Sequence, residues 1–119
     1  MYPEDPAAGG PEQLVRVAAT LLAEQQARIT ALKAGIRIRD GILRLKAGDA
    51  KGGAERFREA IRLAPGHPEA HRGLSACLRS LGRTAEAIGA AKMALALAPD
   101  EADHAAWLAS LEADRAAAE

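Results

Sequence analysis

Displaced by 34 residues, this sequence falls on itself: Gly48 on Gly82, Ala60 on Ala94, Leu63 on Leu97, Ala64 on Ala98 and Pro65 on Pro99. A fixed period of that length marks a repeated supersecondary unit rather than one irregular core. The proline at the same place in both copies stops a helix. Pro68 and Glu69 suit the first turn of the next one. Gly48-Asp49, the stretch Pro65 to Pro68, Gly82 with Thr84 as N-cap, and Pro99-Asp100 then divide the chain into helices of about 14 residues with short connectors, the pattern of antiparallel helical hairpins.

Composition agrees with helix. Hydrophobic residues make up 49% of the chain but aromatics only 3%, so the core must be built from Ala, Leu and Ile. Ala and Leu are strong helix formers, and the aromatic residues that favour strands are scarce.

Met1 to Gly10 is rich in Pro, Gly and Ala and reads as a disordered tail. From Pro11 to about Ala47 no proline intervenes. Leu14, Val17, Ala18, Leu21, Leu22, Ile29, Leu32 and Ile36 recur there at helical spacing. Gly35 is the candidate break before Gly41, and one long helix or two helices broken near Gly35 both fit. The helix over 11–33 is expected either to pack on the first unit or to pair with a second copy of the chain.

On these residues the chain resembles the tetratricopeptide repeat family. In the second unit His71 stands where the family prefers Trp, Leu74 and Ser75 stand at its Leu-Gly pair, and Leu78 at its Tyr. Ala87, Ala91 and Ala94 take the small, aromatic and small positions of the second helix, and Pro99 closes the unit. In the first unit Gly41, Gly53, Phe57, Ala60 and Pro65 match, while Arg37, Asp40 and Arg44 replace the expected Trp, Leu and Tyr. Leu108 and Ala109 mark a last, capping helix. The resemblance implies an all-α fold, a short right-handed solenoid of antiparallel hairpins. Its repeats would span 34–67 and 68–101, with a capping helix over 102–117, in a domain of 34–117 preceded by the helix of 11–33.

It also implies a function: a non-enzymatic adaptor or chaperone-like scaffold that takes a peptide or helix of a protein partner into a concave groove lined by the first helix of each unit. The groove residues carried over are Ile38, Arg39, Ile42, Leu45 and Lys46, then Arg72, Ala76 and Arg79, then Trp107 with Asp103. Arg39 and Lys46 share a helix face, as do Arg72 and Arg79, so an acidic peptide is the expected guest. Ile38 and Ile42 stand where a clamp for a terminal carboxylate needs Lys and Asn, which argues against such a clamp. Ile36 and Leu43 read as the core face of their helix, leaving Ile38, Ile42 and Leu45 as a second apolar stripe that needs cover.

The net charge of zero hides a segregation: −3 over residues 1–27, +8 over 28–83 and −5 over 84–119. Opposed charge regions favour association, so a self-associating homo-oligomer built on the N-terminal helix is the competing reading. Nucleic-acid binding through the basic belt ranks third. Its one aromatic, Phe57, is expected in the core, which leaves no platform for base stacking.

Other chemistries find no support. The single cysteine, Cys77, excludes a disulfide within the chain and reads as a small buried thiol. His67 and His71 are four apart, but Pro68 puts His67 ahead of the helix and no further ligand completes a metal set. Gly48 to Gly53 lacks the Gly-Lys-Ser/Thr ending of a phosphate loop. No catalytic set and no cofactor site are expected. With no apolar run near the roughly 18 residues of a membrane span and no leader-like start, the expected setting is cytosolic.

Overall fold

The computed structural model describes residues 10–118. These form five helices: α1 (Pro11–Lys46), α2 (Ala50–Leu63), α3 (Pro68–Ser80), α4 (Thr84–Leu97) and α5 (Ala102–Ala118), with no strand among the described residues. The tail expected over 1–10 lies outside them except for Gly10, the N-cap of α1.

The ends of the helices repeat with the sequence. Gly48 and Gly82 adopt φ of 88° and 77°, the left-handed conformation that glycine reaches without a Cβ clash. Beyond each, a backbone N–H turns back onto the helix: Asp49 donates to the Arg44 carbonyl at 2.8 Å and Arg83 to the Leu78 carbonyl at 2.9 Å. This Schellman closure satisfies carbonyls the helix leaves free. Asp49 caps α2, its Oδ1 accepting from the Gly52 N–H at 2.9 Å. The cap expected of Thr84 is not formed: Arg83 occupies the N-cap and Thr84 is already helical.

Helices α1 and α2 form one hairpin, α3 and α4 the next, and α5 closes on α4. The core has two parts. Ile38, Ala54, Phe57, Ala60, Ala70 and Cys77 fill the first, and Leu78, Ala87, Ile88, Ala91 and Leu111 the second. The single Phe57 ring reaches the centre because two neighbours have no side chain. A Cβ on Gly41 of α1 would come within 2.9 Å of the ring, and one on Gly73 of α3 would overlap it.

Arg37, Asp40 and Arg44, the departures from the family pattern, replace apolar packing by an ion-pair ladder along the α1–α2 seam. Asp40 accepts from Arg44 at 3.2 Å and pairs with Arg56 at 2.9 Å; Glu59 pairs with Arg56 at 2.9 Å and with Arg37 at 3.0 Å. The hydrogen bond and charge of Asp40 raise the Arg44 pKa above its already high ordinary value.

The break considered at Gly35 does not occur. α1 runs unbroken for 36 residues, about 54 Å at 1.5 Å per residue. Only its last third joins the repeats. Residues 11–29 are exposed on every side and the molecule measures 81 × 28 × 17 Å. The N-terminal helix therefore does not fold back onto the first unit.

The core face of α1 is not the one expected. Ile38 is 4% exposed and belongs to the core, whereas Ile36 and Leu43 are 60% and 65% exposed. The reason is angular. At about 100° per residue, Ala34, Ile38, Gly41 and Leu45 share the side that meets α2, and Ile36 and Leu43 point to the opposite side.

Candidate functional site

Helices α1 and α3, the first members of the two hairpins, stand side by side with the Phe57 ring between and beneath them. Ile42 and Leu45 from α1, and Glu69, Arg72 and Ala76 from α3, surround a depression of about 310 Å³ over that ring. Gly73 keeps it open, since any side chain there would meet Phe57. Four of the expected groove residues, Ile42, Leu45, Arg72 and Ala76, thus come together. Ile42 is exposed, and Leu45 is shared between the groove and the core.

The other expected residues are placed differently. Ile38 is closed into the core, which corrects its assignment to the groove. Arg79 and Trp107 form a clasp between α3 and α5. The Arg79 guanidinium lies 5.1 Å from the centre of the Trp107 ring and pairs with Asp114 at 2.8 Å, a cation–π contact joined to an ion pair. The Trp107 indole N–H donates to Ser75 Oγ at 2.9 Å. Both side chains are thereby engaged within the chain. Arg39 and Lys46 are exposed on α1; Arg39 lies beside Leu32 and Ile36, away from the depression. Arg39, Lys46 and Arg72 form no ion pair among the described residues. Glu69 shares the rim with Arg72, so the site is of mixed charge rather than purely cationic.

A wider depression of about 560 Å³ lies on the other face, where α2 and α4 flank α3. Ile61, Leu74, Leu78 and Met93 form its floor, with Arg58, Arg62 and Glu86 around it. Sequence reasoning missed it by assigning partners to the first helices alone. The small pair Gly89-Ala90 on α4, opposite Ile61 and Leu74, was the available signal.

Neighbouring polar groups hold the frame in place. His71 Nε2 lies 2.9 Å from the Pro65 carbonyl and ties the α2–α3 connector to α3. Cys77 is fully buried beside Gly53, and burial pushes its thiol pKa up to about 11. His104 is also buried, with Nε2 3.0 Å from Glu101 at the start of α5.

Stacked antiparallel hairpins with a groove between their first helices define a helical-repeat scaffold of the protein-interaction class. The family follows from the sequence match: the tetratricopeptide repeat model covers residues 39–102, more than half of the 119, and the chain belongs to that family. Among solved structures it is similar to the UNC-45 chaperone, described as binding and folding muscle myosin, with a TM-score of 0.66 and 19% identity over 85% of this chain. That match spans only 13% of the chaperone chain, and at such identity it speaks to the fold. No curated protein matches the sequence. No helix among the described residues is long and apolar enough to cross a membrane.

Proposed function

We propose that the chain is a non-enzymatic adaptor that holds a short peptide or helix of a protein partner in the groove between α1 and α3. The observation that carries this reading is the meeting of Ile42, Leu45 and Ala76 with Arg72 over one depression. An apolar floor accepts one or two side chains of a guest, and the unpaired guanidinium fixes a carboxylate or carbonyl beside them. Opposite Glu69, the guest that fits is amphipathic with at least one acidic residue near Arg72, rather than uniformly acidic. The family resemblance supports the same face, and the chaperone-like structural neighbour supports a scaffold role.

The test is selection of peptides from a displayed random library on the immobilised chain, followed by titration against variants. Ile42→Asp and Arg72→Glu should each weaken the selected peptides at least tenfold, about 1.4 kcal/mol, while Met93→Asp on the opposite face should not. Peptides that ignore the first two variants and are lost with the third would move the site to the α2–α4 face. Self-association through α1 uses a surface outside this groove and is compatible with an occupied groove.

A further inference from the structure

The outer side of α1 carries an apolar seam that none of the described residues covers. Val15, Ala18, Leu22, Gln25, Ile29 and Leu32 alternate spacings of three and four and continue to Ile36, a heptad pattern. Every one of them is exposed, Leu22 at 65% and Leu32 at 69%. The seam lies on the side of α1 opposite Ile38, so the repeats do not block it. Seven large apolar side chains between residues 14 and 36 lie on this face or its edge. At roughly 100 Å² each, two copies would bury about 1,400 Å², within the range of stable specific interfaces.

The geometry points to a second copy of this chain as the occupant, docked antiparallel along α1. Facing the two seams head to tail sets Val15 against Leu32, Ala18 against Ile29 and Leu22 against Gln25, each layer occurring twice by symmetry. Gln25, the one polar seam residue, falls beside the two-fold axis, where the amides of the two copies stand about one helical turn apart. Charge selects the direction. In an antiparallel pair the flanking e positions of the two helices meet, which sets Glu12 beside Lys33 of the second copy at both ends. In a parallel pair g meets e, which sets Arg28 beside Lys33 instead. Glu12, Arg28 and Lys33 are exposed and form no ion pair within the chain among the described residues. The antiparallel pair therefore gains two attractions where the parallel pair meets two repulsions. This interface is separate from the α1–α3 groove, so its failure would leave that reading intact.

Sedimentation equilibrium of the full chain tests the pairing. A species of twice 12.4 kDa is expected at about 100 µM. Leu22→Asp should return it to monomer with helical content and melting of the repeats retained, because the side chain is exposed. Lys33→Glu should weaken the dimer about tenfold, and the double variant Glu12→Lys with Lys33→Glu should restore it to within about twofold. Mixed Val15→Cys and Leu32→Cys chains should oxidise to a disulfide between the two kinds of chain. A monomer at that concentration, or a dimer indifferent to Leu22→Asp, would overturn the interface. Selective linkage between two chains that both carry Val15→Cys, or no rescue by the charge swap, would overturn the antiparallel register.

Discussion

Ser75 Oγ accepts the indole N–H of Trp107 at 2.9 Å and donates its own proton to the Ala87 carbonyl at 2.7 Å. One buried hydroxyl thus joins α3, α4 and α5 at the position where the family carries glycine. Ser75→Ala should destabilise the fold by about 1–2 kcal/mol, since the partly buried indole N–H loses its partner and the link to the Ala87 carbonyl is lost. Trp107→Phe should cost less than Trp107→Ala, because the ring still packs. Trp107 is the only tryptophan, so its fluorescence during urea unfolding checks Ser75→Ala, and far-UV circular dichroism checks the two Trp107 variants.

Three glycines should respond to alanine in opposite directions. Gly73→Ala drives a methyl into the fully buried Phe57 ring and should cost about 2–3 kcal/mol or more. Gly41→Ala, with 2.9 Å to the same ring, should be destabilising but milder. Gly35→Ala meets nothing within 4 Å and should stabilise by about 0.5–1 kcal/mol, the ordinary helix gain. Thermal melts of the three variants give the order directly.

Asp40 stands between Arg44 and Arg56, at the middle of the α1–α2 ladder. Asp40→Asn should lower stability by about 1 kcal/mol at low salt, and the difference should shrink in about 1 M salt, where partly exposed pairs are screened. Denaturant midpoints at the two ionic strengths read the effect.

Cys77 has a folded pKa of about 11 against an ordinary value of 9.0, raised chiefly by burial. The neutral thiol is the form the fold prefers. Its stabilising contribution is therefore complete below pH 9.0 and is lost as pH climbs toward 11. At pH 8 a thiol reagent should label the native chain at least about a hundredfold more slowly than the denatured chain, because the thiol is both enclosed and held neutral. Equal rates would mean that the α2–α3 interface opens freely.

The positions of Gly48, Gly82, Pro65 and Pro99 are enough to read the hairpins and their period, because helix stops are local chemistry. The assignment of faces on α1 is not legible in the same way. Apolar residues recur on two sides of this helix, and periodicity alone does not say which side meets α2; the pattern offers Ile36 and Leu43 as core where Ile38 holds that place. The ladder is hidden for a related reason. Arg37, Asp40 and Arg44 read as mismatches until Arg56 and Glu59 of α2 are set beside them. Arg72 and Arg79 look equivalent by spacing, yet only Arg79 has Asp114 and Trp107 within reach, both supplied by a helix distant in sequence.

The two outermost helices differ in what they offer. α5 presents alanines and charged groups to water and no exposed large apolar residue among those described, whereas α1 leaves a row of them uncovered. Among the described residues the uncovered row lies on one outer helix and is self-complementary, a pattern that favours closure into a finite, symmetric pair rather than fibres, which need two different complementary patches. Gaining such a patch on α5 would be the route by which this protein could polymerise.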